Sequence, residues 1–95
     1  MSVLATYIHD PEARLDYSMN WAPWLPDGDT IDVSTWSIEP VGPTLSSASV
    51  SVSGLVATVY VEGATEGETY ILTNHIVTIG AREDDRSIKL KVKDR

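Results

Sequence analysis

Nine consecutive residues, Ala13 to Trp21 (ARLDYSMNW), alternate apolar and polar side chains without a slip. Ala13, Leu15, Tyr17, Met19 and Trp21 fall on one side; Arg14, Asp16, Ser18 and Asn20 fall on the other. A period of two belongs to a β-strand with one buried and one wet face, because a helix would scatter the same apolar residues around its axis. The end of the chain repeats the pattern: in SIKLKVK, Ile88, Leu90 and Val92 point one way and Lys89, Lys91 and Lys93 the other.

Strand signals of this kind fill most of the remaining sequence. ATYIH reads as a short edge strand closed by Pro11, which cannot donate to a ladder. APWLPDGDT, with two prolines and Asp-Gly, reads as a loop. TIDVSTWSIEP alternates but changes phase, with Ile31 and Val33 on odd positions and Trp36 and Ile38 on even ones, which predicts a bulge or break near Ser34–Thr35. ASVSVS predicts a strand with Ala48, Val50 and Val52 on one side, and LVATVYV, apolar on both faces, predicts a central strand. EGATEG is a turn, TYILTNHIVTI a long strand rich in β-branched residues, and GAREDDR a second turn. DPEARL carries the Asp cap and first-turn Pro of a helix start, but the alternation that follows overrides it.

About seven short strands separated by turns predict an all-β fold, a single antiparallel β-sandwich domain over residues 1–95. EGETY points to the immunoglobulin-like version. It sets Gly67 before Tyr70 at the start of the penultimate strand, where a tyrosine hydroxyl turns back to an upstream backbone group, and Leu72 takes the place of a core cysteine.

Composition removes several function classes. There is no cysteine, so disulfides, thiolate nucleophiles and Cys-based zinc sites are absent, in keeping with assembly in a reducing cytoplasm. No run approaches the length of a membrane-spanning helix, and the N-terminal segment lacks the basic and apolar regions of a signal peptide. A net charge of −7 argues against nucleic acid as a partner. The charge is uneven. Residues 1–68 carry ten acidic side chains and one base, Arg14, whereas residues 82–95 carry six bases and four acids. Such a chain can pair head to tail with copies of itself or with a complementary neighbour, or the lysines can simply protect an edge strand.

Candidate chemistry is sparse. His9 and His75 could supply only part of a zinc site, and His75 reads as a structural or surface histidine. Asp27, Asp29 and Asp32 in DGDTID are hard-oxygen ligands suited to calcium, or ordinary turn residues. EDDR reads as a solvated turn tip rather than an acid/base pair across a pocket. No nucleophile elbow, P-loop or dinucleotide fingerprint appears. These observations predict no catalytic, cofactor-binding or metal-binding residues. Trp21 and Trp36 read as core. Trp24, between Pro23 and Pro26, reads either as a cap on one end of the core or as an exposed platform for a partner or a sugar.

Two stretches, DPEARLDYSMNWAPWLPDGDTIDVSTWSI and GETYILTNHIVTIGAREDDRSIKLKV, resemble small phage virion proteins of the fiber–tail adaptor type. The first carries Pro11, then Leu15, Tyr17 and Trp21, the turn Gly28 to Ile31, and Trp36. The second carries Tyr70, Thr73, Asn74, Ile76 and Thr78, the turn residues Gly80 and Arg82, and Asp85 to Ile88. Asn20 stands where Asp is frequent in such proteins, and Ala81 separates the turn glycine from its arginine. The resemblance implies an immunoglobulin-like sandwich and a non-enzymatic structural protein of the virion, assembled in the bacterial host and present in several copies beside tail, baseplate or fiber subunits. It supplies no catalytic residues. The expected docking residues are Trp24, Lys89, Lys91 and Lys93. A carbohydrate-binding module, which would show a row of exposed aromatics such as Trp24 and Tyr60, is the alternative from another class; a capsid decoration or head–tail connection protein is the alternative within virions.

Overall fold

A computed structural model describes residues 3–93. Met1 and Ser2, where the segment tested for a signal peptide begins, and Asp94 and Arg95, part of the basic end, lie outside the described residues. The chain forms seven strands: β1 (Val3–His9), β2 (Leu15–Asn20), β3 (Ile31–Glu39), β4 (Thr44–Val50), β5 (Val56–Glu62), β6 (Thr69–Thr78) and β7 (Glu83–Val92). No helix occurs among the described residues. One sheet has the order β1-β7-β6-β3 and the other β2-β5-β4. The arrangement is a β-sandwich with an order compatible with the immunoglobulin-like fold.

The alternating faces meet between the sheets. Trp21, Leu72, Ile76, Leu90, Val59, Val61 and Val92 are almost wholly buried there. Side chains of this size each contribute about 1.5–3 kcal/mol when removed from water. β5 is the middle strand of its sheet, as its two-sided apolar pattern requires, with Ala57, Val59 and Val61 inward. Tyr70 is 3% exposed, and its hydroxyl accepts the Thr65 N–H at 3.2 Å, five residues upstream. Leu72 is fully buried beside it.

Four local expectations are corrected. The slip in β3 lies between Ile31 and Val33, earlier than Ser34–Thr35, so Val33 turns outward and is 50% exposed. The register is set by pairing with β6, where Trp36 and Ile38 must face the core opposite Asn74 and Leu72. The serine-rich strand starts at Thr44 and stops at Val50; a register shift between Ser46 and Ser49, with Ser47 at φ 51°, turns Ala48 and Val50 outward. Val52 sits in the turn that follows, fully exposed.

The third correction concerns EDDR, which is not a turn tip. The turn closes at Thr78–Arg82, where the Thr78 N–H donates to the Arg82 carbonyl at 2.8 Å, and Glu83 to Arg86 already pair with Val77 to Asn74. Fourth, the lysines do not guard an edge. β7 is an interior strand, covered on its far side by β1, which runs parallel to it whereas the other pairings among the described residues are antiparallel.

Candidate interaction surfaces

The connection from β2 to β3, residues 21–30, is pinned from two directions. Trp21 is fully buried and its Nε1–H donates to Asn74 Oδ1 at 2.9 Å. Its carbonyl accepts the N–H groups of Trp24 and Leu25 at 2.9 and 3.0 Å, which curls the chain back over the core. Trp24 is half-buried, edge-on to Trp21 with ring centroids 5.5 Å apart. It therefore caps the core while leaving part of its ring to solvent.

Asp29 ties the same loop to the β6–β7 turn. Its carboxylate accepts from the Gly80 N–H at 2.9 Å, the Thr30 N–H at 3.0 Å and the Arg82 guanidinium at 3.1 Å. Hydrogen bonds from the Thr78 hydroxyl first, and then from these groups, hold its carboxyl below the ordinary value. A Cβ at Gly80 would come within 2.7 Å of the Arg82 guanidinium and 3.1 Å of the Asp29 carboxylate, so a larger residue would push on the Asp29–Arg82 pair. The oxygens of Asp29 are thus occupied by protein donors, and Asp27, Asp29 and Asp32 do not converge as a ligand set among the described residues. Between the 26–29 turn and Ile79, Gly80 and Arg82 lies only a shallow, open depression.

The outward face of the β1-β7-β6-β3 sheet holds the lysines. Lys89 pairs with Thr6 on one side and Ile71 on the other; Lys91 pairs with Ile8 and Thr69. Lys93 follows the strand, its N–H donating to the His9 carbonyl at 3.1 Å. None of the three has a carboxylate within 4.0 Å among the described residues. The other half of the same face is acidic. His75 lies between Asp85, which meets Nδ1, and Glu83, 3.2 Å from Nε2. Asp85 first, and Glu83 with it, push the His75 pKa above its ordinary value. Reading EDDR as a turn hides this cluster; outward phase on two paired strands is the signal that places His75 beside Asp85.

Trp24 and the lysines are not brought together. Trp24 rests on Trp21, which is bonded to Asn74 on the inner side of β6, whereas the lysines point outward from the opposite face of that sheet. An aromatic platform for sugars is not formed either, since Trp24 packs on Trp21 and Tyr60 lies beneath the Arg14 guanidinium at 4.0 Å.

The motif residues serve one another. Arg86 stacks on Trp21 at 4.2 Å and donates to the Asn20 carbonyl at 3.1 Å. Asn74 accepts from Trp21 and donates to Ser34 Oγ and the Thr35 carbonyl at 2.9 and 3.1 Å. Thr73 and Ser87 share a 2.8 Å hydroxyl pair. Tyr17 meets His9 Nδ1 at 2.6 Å, and His9 is wholly buried, its pKa lowered by that burial. These contacts hold the two sheets and the turns in place.

A family model described as podophage GP4 fiber-tail adaptor protein gp77 matches residues 9–91. No curated protein matches the chain.

Proposed function

The chain belongs to the podophage GP4 fiber–tail adaptor family, and on that premise we propose that it is a non-enzymatic structural protein of the phage particle, joining tail or baseplate to fibers. It is assembled in the host cytoplasm and occurs in several copies per virion. The observation that carries this reading is the presence of two unlike surfaces on one sandwich, an indole beside the core and cations on the outward face of the β1-β7-β6-β3 sheet. The Trp24 loop offers a partly exposed indole packed on Trp21. The Lys89–Lys91–Lys93 face offers cations with no carboxylate within 4.0 Å among the described residues. A connector needs two addresses, and these differ in chemistry: the indole suits an apolar pocket, the lysines an acidic surface. The histidines give no support to a catalytic reading, because His9 is buried in the core and His75 is engaged by Asp85 and Glu83 on a sheet face, while the Asp29 carboxylate is taken up by protein donors.

The test is complementation of a phage lacking this protein. Trp24→Ala and the triple Lys89→Glu, Lys91→Glu, Lys93→Glu variant should each lower incorporation into particles, and fibers should be lost with it. Normal incorporation and normal fiber content in both variants would sink the reading.

A further inference from the structure

Five successive outward residues of β7 are Glu83, Asp85, Ser87, Lys89 and Lys91. Two are anionic, the central one is small and neutral, and two are cationic. Glu83 and Lys91 each stand four residues from Ser87, and Asp85 and Lys89 each stand two. The stripe is straight, because β7 pairs with β6 from Glu83 to Lys91 without a register shift. The charged tips are accessible: the Glu83 and Asp85 side chains are 62% and 44% exposed, and Lys91 is exposed. The middle of the face is low, with Ser87 and Thr73 buried and joined to each other.

We infer that this sheet face is self-complementary, and that a second copy of the chain docks on it about a two-fold axis over Ser87, with β7 running antiparallel above β7. This rests on the reading of the lysine face as a docking surface and names what it meets: the Glu83–Asp85 end of another copy. In that arrangement Glu83 faces the second copy's Lys91, Asp85 faces its Lys89, and both relations recur by symmetry. The neighbouring strands agree. Thr35, His75 and Asp85 form one level of the sheet, and Glu39, Ile71 and Lys89 form another, equally far from the Ser87 level. Turning one copy over therefore sets Glu39 above Thr35 and Ile71 above His75, with no like charges opposed. Stacking the copies in parallel would set lysine on lysine and carboxylate on carboxylate, which is unfavourable. Facing sheets lie about 10 Å apart, within reach of a lysine and a carboxylate extended towards each other.

Three strands, β7, β6 and β3, overlap in this arrangement, because β1 lies beside only the Ser87–Val92 half of β7; about 4.8 Å apart and about eight residues long, they present roughly 400 Å² per copy, the size of a weak, transient contact. The pairing is accordingly weak in free solution and sensitive to salt, and it gains from the high local concentration of copies held on one particle.

Sedimentation of the purified full chain between about 10 μM and 1 mM tests this, at low and high salt. The expected result is a monomer–dimer equilibrium at low salt that shifts towards monomer at high salt. K89E/K91E and E83K/D85K should each weaken self-association at least tenfold, an equimolar mixture of the two should form a heterodimer, and the four changes in one chain should restore the homodimer. Far-UV circular dichroism establishes that each variant is folded; should E83K/D85K fail to fold, K89E/K91E and the salt series decide alone. A wild type that stays monomeric to 1 mM at low salt, or K89E/K91E dimerising as the wild type does, overturns the inference. If the wild type is monomeric while the lysine variant is still lost from particles, self-pairing falls and the docking reading stands. If dimerisation follows the charge swaps but particles take up the lysine variant normally, the docking reading falls instead.

Discussion

Trp21 and Asn74 meet in the interior of the sandwich, where the indole Nε1–H donates to the amide oxygen at 2.9 Å and neither side chain reaches solvent. The same amide donates to Ser34 Oγ and the Thr35 carbonyl, so one asparagine on β6 joins the end of β2 to β3. A buried donor left without its acceptor costs about 1–3 kcal/mol, and truncation adds a cavity. Asn74→Ala is expected to destabilise the fold by about 2–4 kcal/mol in chemical denaturation, and Trp21→Phe by about 1–3 kcal/mol. A double-mutant cycle should give a coupling of at least about 0.5 kcal/mol. Strict additivity would mean that the contact contributes nothing of its own.

Tyr70 fastens the turn between β5 and β6 through the Thr65 N–H. Tyr70→Phe keeps the buried ring and removes only the acceptor, so the expected loss is about 1 kcal/mol. Amide exchange should quicken at Thr65 while the central residues of β6 keep their protection. Uniform loss of protection would contradict a local role.

The two histidines oppose each other in acid. His9 is buried, and its folded pKa lies below 6.5; its neutral form is favoured above the unfolded value, and stability drains away as pH falls through that range. The folded pKa of His75 lies above 6.5 because of Asp85 and Glu83; its contribution is complete below the unfolded value and is lost as pH rises through the folded one. His75 sits at the surface, with its side chain 41% exposed, so its share should stay under about 1 kcal/mol. Melting curves from pH 5 to 8 should show His9→Gln flattening the acid-side decline and His75→Gln removing the small gain on acidification. The opposite assignment would refute the burial argument.

Asp29 governs a lower range. Its folded pKa lies below the unfolded value near 3.8, so its contribution is present above that value and disappears as pH falls through the folded pKa. Asp29→Asn should lower the melting temperature at neutral pH, make the acid limb of the stability curve shallower, and loosen residues 21–30 and 79–82 before the sheets. Hydrogen exchange of the Gly80 amide, which donates to this carboxylate, is the direct measurement. Unchanged protection there would disprove the link.

The strands were legible from side-chain phase because that phase is a property of consecutive residues. Leu15 to Trp21 and Ile88 to Val92 face the core as their alternation requires, and Tyr70 turns its hydroxyl upstream as its place before a long strand suggests. Phase alone was misleading wherever pairing could shift it. Val33 is outward because the β3 slip precedes it, and Val50 is outward because a bulge at Ser47 intervenes. Both shifts satisfy neighbours on other strands, and no short window contains those neighbours.

The candidate surfaces divide in the same way. That Lys89, Lys91 and Lys93 share a face is written in their spacing, as is the buried half of every clean strand. Tertiary structure alone decided that β7 has β1 against it and is no edge, that Glu83 and Asp85 continue the lysine stripe beside His75, and that Trp24 lies beside the core while the lysines occupy the outer face of the β1-β7-β6-β3 sheet. The physical reason is range: alternation records which side of its own strand a residue occupies, whereas strand order and register are settled by backbone hydrogen bonds and packing between segments far apart in the chain.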